Sequence, residues 1–265
     1  RGNMDGTPFI SLKSNENVGG SGVRGILIWY PEQTATDITP YPWAIQSKGP
    51  GCWVVYTNVS NAYQGVDFGT YTNDRHVVDY LSGAALKTGL FIGNSSEGWV
   101  RNVHFNPTYW TGDSTLPNAP AGADTLGVIW PWQKEHATGL LFGLTGNEYV
   151  TGTFVYGALA GLRFVEQDSG GFHGTILNHG TDGSKEGVRI ENAEEVCFIN
   201  LEAVQFDNGH FLNIVQTVGS TASVSIYNAN HWTEPDVGYL IQGGNLSMQQ
   251  VHFAHGGINA VKLEQ

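Results

Sequence analysis

The chain has 265 residues, of which 14% are charged, and its formal net charge is −12. This charge argues against a nucleic-acid-binding protein, because phosphate binding requires clustered Lys and Arg. It also disfavours polyanionic polysaccharides as ligands unless calcium bridges the charges, so neutral polymers fit better. The 36 glycines, with 8 Trp, 11 Tyr and 12 Phe beside few charges, predict an all-β protein rich in turns.

Short strands recur along the chain from its first segment to its last. Each unit of six residues carries mostly apolar residues at its first, fourth and sixth positions. The third position, at residues 25, 56, 80, 102, 152, 174, 200, 228 and 250, is predicted to be a bend of positive φ, which Gly and Asn tolerate. The units are Val23–Ile28, Val54–Val59, Val78–Gly83, Val100–Phe105, Val150–Val155, Phe172–Leu177, Phe198–Ala203, Ile226–His231 and Met248–Phe253.

A second motif, glycine followed by apolar residues one apart, keeps the same period. It occurs at Gly65–Phe68, Gly89–Ile92, Gly139–Phe142, Gly161–Phe164, Gly187–Ile190 and Gly238–Ile241. A period in this range with short alternating strands indicates a solenoid. The helices and the asparagine-and-leucine consensus of leucine-rich repeats are missing. We therefore expect a right-handed parallel β-helix, a single-stranded solenoid of nine to ten coils, and we interpret the long step from residue 102 to residue 152 as two coils.

Metal sites and membrane segments have no clear signal in the sequence. Cys52 and Cys197 belong to no zinc-binding pattern, and a disulfide between them cannot be inferred. His104 and His252 are expected at the same outward position of their units, which the repeat alone explains. No apolar run reaches about 18 residues, so no membrane span is predicted. No signal peptide is predicted from the first residues, and we expect a single domain over residues 1–265 that is part of a larger protein.

Several segments carry a resemblance to a known family. They read DGTPFI, IWYPEQ, PWAIQ, NAYQGVDFG and VHFNP. Through them the chain resembles the pectate-lyase-like right-handed parallel β-helix superfamily, and within it the β-helical carbohydrate-binding modules of secreted bacterial enzymes that degrade xylan and other plant cell-wall polymers. The resemblance implies a carbohydrate ligand, an extracellular location and an attached catalytic domain. It does not imply catalysis, because the fold also serves binding modules and tail spikes.

Candidate catalytic residues are scattered along the repeat. A glycosidase needs two carboxylates facing one groove, and no motif pairs them here. Asp79 and Arg101 are expected one coil apart, and we favour a surface ion pair between them. In the alternative hypothesis they serve a polysaccharide lyase or glycoside hydrolase, together with Glu202 or His173.

Residues 106–139 depart furthest from the repeat and form a predicted insertion loop. Flat aromatic side chains can stack on the apolar faces of sugar rings, so the aromatic residues of this loop are candidate binding residues. The competing interpretation is that they cover the flank of the solenoid as a satellite core. These residues are Tyr109, Trp110, Trp130 and Trp132, and Trp232 in a later turn is a second candidate platform.

These observations together predict a secreted, non-catalytic carbohydrate-binding module. Its ligand is expected to be a plant cell-wall polysaccharide, with xylan as the first guess, and no nucleic acid or membrane partner is expected. No cofactor or metal is predicted, although the sequence does not exclude a calcium ion bound by backbone carbonyls. The alternatives are the lyase or hydrolase described above and a structural, tail-spike-like solenoid.

Overall fold

A computed structural model describes residues 4–15, 19–117, 119–204, 212–231, 237–254 and 258–264. Nearly all regular structure in these ranges is short β-strand, as the turn-rich composition predicts. The strands are β1 (Ile10–Asn15), β2 (Gly19–Gly20), β3 (Gly22–Arg24), β4 (Leu27–Ile28), β5 (Trp43–Lys48), β6 (Trp53–Val59), β7 (Gln64–Phe68), β8 (Val77–Gly83), β9 (Thr88–Ile92), β10 (Ser95–Ser96), β11 (Trp99–Arg101), β12 (His104–Phe105), β13 (Thr138–Phe142), β14 (Thr145–Gly146), β15 (Glu148–Tyr156), β16 (Ala160–Phe164), β17 (His173–Asp182), β18 (Glu186–Ile190), β19 (Glu195–Val204), β20 (Leu212–Gln216), β21 (Ser223–His231), β22 (Val237–Ile241), β23 (Asn245–Phe253) and β24 (Asn259–Leu263).

The strands form two long sheets whose neighbours come from successive coils. One, the short-strand sheet, has the order β2-β1-β5-β7-β9-β13-β16-β18-β20-β22-β24. The other, the bent sheet, has the order β23-β21-β19-β17-β15-β11-β8-β6-β3, with β4 and β12 continuing β3 and β11 beyond a bend. All these pairings are parallel except β1 with β2. The predicted parallel β-helix is thereby confirmed as a solenoid of about eight turns.

The coil count of nine to ten is slightly too high, because the long step was misinterpreted. Strand β11 pairs with β8 on one side and directly with β15 on the other, so that Arg101 lies opposite both Asp79 and Thr151. The step from residue 102 to residue 152 is therefore one coil that carries an insertion, and no disguised coil lies within it.

Positive φ occurs at eight of the nine predicted bends, at Gly25, Tyr56, Tyr80, Asn102, Gly152, Asn200, Asn228 and Gln250. The prediction for residue 174 is wrong, because the bend of that coil lies at Asn178, which has a φ of 56°. The stretch HGTILNHG contains both a Gly and an Asn that suit a bend, and strand pairing selects Asn178 by placing Leu177 opposite Thr151.

Stacked columns of inward side chains form the core of the solenoid. One column of the bent sheet is completely buried and consists of Val54, Val78, Val100, Val150, Ile176, Phe198 and Ile226. The glycines of the second motif are needed for close approach between coils: a Cβ on Gly65 would lie 2.3 Å from the carbonyl oxygen of Gly89. Burial of apolar area along these columns is the main stabilising contribution.

The insertion comprises residues 106–137, since Thr138 already belongs to β13; we call it the inserted segment. It contains a 3₁₀-helix (Pro107–Tyr109), one turn of π-helix (Thr125–Ile129) and α1 (Trp130–His136). Trp110 and Ile129 pack with Ala84 and Leu86 of a neighbouring coil in a small second core. This segment is therefore fixed on the flank of the solenoid.

Candidate functional site

An open groove runs along the outer side of the bent sheet. It consists of two adjoining clefts of about 400 and 420 Å³ that share Tyr80 and Ser82. The first cleft is lined in addition by Gly25, Ile26, Leu27, Tyr56, Thr57 and Asn58. The second is lined in addition by Leu81, Asn102, Val103, His104, Tyr109, Gly152 and Phe154. We call the two clefts together the tyrosine groove.

The repeat itself builds the floor of this groove. The second residue after each bend faces outward, because side chains alternate along a strand. Parallel pairing aligns these residues in one column of five successive coils, which reads Leu27, Asn58, Ser82, His104 and Phe154. The groove therefore runs across the coils, parallel to the solenoid axis.

Two tyrosines at bend positions form an exposed stack at the edge of the groove. The rings of Tyr56 and Tyr80 are 4.6 Å apart and nearly parallel, at 9°, and each residue is 50% exposed. The guanidinium of Arg24 lies 5.3 Å from the centre of the Tyr56 ring. The next two bends carry Asn102 and Gly152, and neither continues the stack with a ring. Tyr80 lines both clefts and is therefore exposed to each of them.

One wall of the second cleft combines the repeat with the inserted segment. The Tyr109 hydroxyl lies 3.0 Å from His104 Nδ1, and the rings of Tyr109 and Phe154 both meet the His104 ring edge to face. Burial lowers the pKa of His104, which keeps the ring neutral near pH 7. Burial raises the pKa of Tyr109, and its contact with Ser82 opposes that shift. The wall is thus aromatic and uncharged.

Trp110 is 0% exposed in the small second core. This placement does not fit the predicted role of Trp110 as a sugar-stacking residue and agrees with the satellite-core interpretation. Among the sequence-predicted aromatic residues, Tyr109 lines the tyrosine groove.

Trp130 and Trp132 are half-buried, and their indole N–H groups are engaged by the backbone. Trp130 Nε1 donates to the Gly183 carbonyl and Trp132 Nε1 to the Leu86 carbonyl, both at 2.9 Å. The Trp130 ring also carries the Lys134 ammonium 4.1 Å from its centre. Both residues thus attach the inserted segment to the coils. Trp232 lies outside the described residues.

The alternative catalytic residues do not assemble into one site. Arg101 Nη2 donates to Asp79 Oδ2 at 2.9 Å, and Asn102 Nδ2 donates to the other oxygen at 2.8 Å, so this carboxylate is engaged by partners on the next coil. His173 lies opposite Glu195, whereas Glu202 lies opposite Gly180, seven positions further along the same strand pair. The favoured interpretation of Asp79 and Arg101, a surface ion pair, agrees with this geometry.

A second open cleft of about 640 Å³ lies on the short-strand sheet, and Arg189 is one of the residues that line it. The Arg189 guanidinium donates to Glu186 at 2.9 and 3.0 Å and to Glu191 at 2.7 Å. Burial opposes ionisation of Glu191, but hydrogen bonds from Arg163 and Arg189 outweigh it and lower the pKa. Glu191 is therefore held as a carboxylate and is not set up to donate a proton.

Sequence reasoning did not identify Tyr56, Tyr80, Trp99 and Tyr149 as exposed rings. The last two form a further outward stack, with ring centres 4.7 Å apart and 46% and 44% exposure. The sequence did contain a signal for Tyr56 and Tyr80, because both occupy predicted bend positions. A bulky residue at positive φ is energetically unfavourable and is retained for a local reason.

The part of the chain that the structure describes contains no group of three or more His, Cys, Asp or Glu residues that could hold a metal ion. No helix in the described ranges is long and apolar enough to cross a membrane. Cys52 and Cys197 are free thiols, the first buried and the second half-buried. Comparison with protein-family models and with curated proteins gives no match to this chain.

Proposed function

We propose that this protein is a non-catalytic carbohydrate-binding module that holds a polysaccharide in the tyrosine groove. The observation that carries the proposal is the exposed ring of Tyr80, which lines one cleft together with Tyr109 and Phe154. Aromatic faces combine apolar area with a low conformational entropy cost on binding, which suits the C–H faces of sugar rings. Asn58, Ser82 and Asn102 supply amide and hydroxyl groups for sugar hydroxyls.

The resemblance to secreted modules attached to enzymes of plant cell-wall degradation supports the same function. A secreted location, an attached catalytic domain and xylan as the first ligand to test belong to this proposal. In the proposed complex the inserted segment contributes Tyr109, and its tryptophans fix the segment on the coils.

The first test is affinity electrophoresis through gels that contain xylans, β-glucans, mannan or pectin, stained for protein and for polymer. We expect retarded migration over an intact polymer background for at least one neutral polymer. Tyr80→Ala and Phe154→Ala should reduce this retardation. The dissociation constant should rise by about tenfold or more, because central aromatic contacts contribute a large part of the binding energy.

Tyr227→Ala is the matched control. Tyr227 is also an outward tyrosine of the bent sheet, 42% exposed, but it lies three coils beyond Phe154 and outside the groove. The control should bind as the unaltered protein does. Equal loss of binding in the control, or no binding to any polymer, would contradict the proposal.

A second candidate function is polysaccharide cleavage, and the cleft around Arg189 is the observation that favours it. Glu166, Glu186 and Glu191 line this cleft, and glycoside hydrolysis requires two carboxylates on one groove. A cleared zone around the protein band, abolished by Glu186→Gln or Glu191→Gln with the fold intact, would support cleavage over simple binding.

A further inference from the structure

The chemical class of the ligand follows from how charges are arranged around the tyrosine groove. No Lys, Arg, Asp or Glu side chain lines either of its clefts within the described ranges. A ligand carboxylate or ammonium in the groove would lose water without gaining a counter-charge, which is strongly unfavourable. Uncharged hydroxyl groups, in contrast, find amide and hydroxyl partners there.

The charged groups near the groove do not line either of its clefts. The Asp79 carboxylate is bound by Arg101 and by the Asn102 amide. The Arg24 guanidinium lies over the Tyr56 ring, where a cation is attracted by the ring face. His104 is uncharged near pH 7 because burial disfavours its protonated form. Neither the Asp79 carboxylate nor the neutral His104 ring therefore offers a counter-charge to a ligand in the groove.

Among the residues that the structure describes, none closes either end of the groove. Its floor crosses five coils from Leu27 to Phe154, a distance of about 19 Å at the usual spacing of parallel strands. Beyond Phe154 the column continues with Gly180, which has no side chain and lies under the Phe154 ring. At the other end Leu27 is 53% exposed. A chain can therefore leave the groove at both ends.

We infer that the tyrosine groove selects an uncharged, linear polysaccharide and holds an internal stretch of it along the solenoid axis. This inference rests on the proposed function and deepens it. It assigns the stacking surface to the exposed part of the Tyr80 ring. Tyr56 is stacked on one face of this ring.

The experiment compares polymers that share a backbone and differ in charge, namely hydroxyethylcellulose with carboxymethylcellulose and arabinoxylan with glucuronoxylan. Affinities are measured by calorimetric titration at low salt and at about 0.5 M salt. The higher salt shortens the Debye length to a few ångströms and removes the long-range repulsion that the net charge of −12 causes. A preference of about tenfold or more for the neutral member at both salt concentrations is expected.

A designed charge makes the test sharper. Ser82→Lys places an ammonium on the groove floor and should abolish or reverse the preference against the carboxylate-bearing polymers. Gln249→Lys adds the same charge at an exposed position of the last bent-sheet strand and should leave the preference unchanged. Chain-end selectivity is checked with oligosaccharides of increasing length, whose affinity should rise with length and should not depend on reduction of their terminal aldehyde.

The outcomes separate this inference from the function on which it rests. Equal or tighter binding of the anionic members, still lost in Tyr80→Ala, overturns the uncharged class and leaves carbohydrate binding at the groove intact. Affinity that depends on a free chain end overturns the internal binding mode. Absence of polysaccharide binding, or binding that Tyr80→Ala does not affect, overturns the proposed function and the inference together.

Discussion

His76 Nε2 lies 3.1 Å from Glu148 Oε1, and both side chains are completely buried although the two residues belong to coils that are not adjacent. Gly98 lies between them, because it precedes Trp99, whose partners on the two sides are Val77 and Tyr149. The missing side chain of Gly98 leaves the space in which the His76 and Glu148 side chains meet. One glycine thus allows an ion pair to span three coils.

The first prediction is that Gly98→Ala strongly destabilises the solenoid. A Cβ at residue 98 would lie 2.1 Å from His76 Cε1 and 2.5 Å from Glu148 Oε2. Overpacking of this kind costs about 1–3 kcal/mol, with the weakened ion pair in addition. The change is measured by denaturant unfolding. Gly146→Ala is the control, since its Cβ would meet only Ser96 Cβ at an ordinary 3.7 Å; similar losses in both variants would contradict the explanation.

The second prediction concerns Glu148→Gln and pH. Burial alone would lower the pKa of His76, but the nearby charge of Glu148 and the hydrogen bond to the Asn73 carbonyl outweigh burial and raise it. Because the pKa of His76 is higher in the folded protein, protonation of this side chain stabilises the fold. The stabilisation is fully present below the ordinary pKa of about 6.5 and is lost as the pH rises through the folded-state pKa. Removing the Glu148 charge should cost about 3 kcal/mol or more near pH 6 and less at higher pH.

Unfolding free energies between about pH 5.5 and 8.5, with histidine ring signals in NMR spectra, test this prediction. The control is Glu195→Gln, because Glu195 lies 3.7 Å from His173 in a pair that is 61% and 43% exposed. Exposed pairs contribute at most about 1 kcal/mol. A loss in Glu148→Gln that grows with pH would show that the buried pair is not charged as described.

The third prediction is that Asp182→Asn stabilises the protein at neutral pH but not in acid. Burial raises the pKa of Asp182 to about 6; the Gly183 N–H opposes the shift and the charge of Glu202 adds to it. Folding thus favours the neutral form of the Asp182 carboxyl. The stability that this form contributes is lost as the pH rises from the ordinary pKa of 3.8 through about 6. An amide stays neutral throughout, so the melting temperature should rise near pH 8 and change little near pH 4.

Asp168→Asn provides the comparison for this pH effect. Asp168 is exposed and has a φ of 50°, which asparagine tolerates. Its substitution should shift the melting temperature equally at both pH values. A gain in Asp182→Asn that is as large in acid as at neutral pH would point to packing rather than charge.

The fourth prediction separates the two interpretations of Trp110. Trp110→Ala should lower the free energy of unfolding by about 3–5 kcal/mol, as large cavities do. Trp110→Phe should cost less, because the buried Nε1 has no hydrogen-bond partner in the described structure and no bond is lost. Trp99→Ala, at an exposed stack, should cost about 1 kcal/mol. Unchanged stability with lost sugar binding in Trp110→Ala would instead restore the stacking role.

The sequence predicts the solenoid well because each coil repeats the same physical pattern. Alternating apolar residues around a bend appear in nine units. The glycines of the second motif recur with the same period and support it independently. The misplaced bend at residue 174 has a local cause, since Gly174 and Asn178 both tolerate positive φ. Only pairing with the preceding coil distinguishes them.

The site is harder to predict, because tryptophan suits both a core and a sugar-binding surface. Trp110 packs in one apolar cluster with Ala84 and Leu86, which follow a strand of another coil. Nothing in the sequence around these two residues indicates that a tryptophan packs against them. The tyrosine groove arises from a column of residues at least 22 positions apart in sequence, and their neighbourhood depends on the exact register of the coils. Tyr56 and Tyr80 were visible as unusual bend residues, but their stacking could be recognised only in three dimensions.

The inserted segment has a consequence for how the solenoid opens. In a repeat protein each coil normally contacts only its neighbours, so end coils can unravel one after another. Here the segment leaves the Asn102 coil and is hydrogen-bonded to Leu86, Leu159 and Gly183, which follow the Tyr80, Gly152 and Asn178 bends. These four coils should exchange their amide hydrogens as one cooperative block. Tyr80 and Phe154, which line the second cleft of the tyrosine groove, both lie on that block. We therefore expect this cleft to belong to the part of the solenoid that unfolds last.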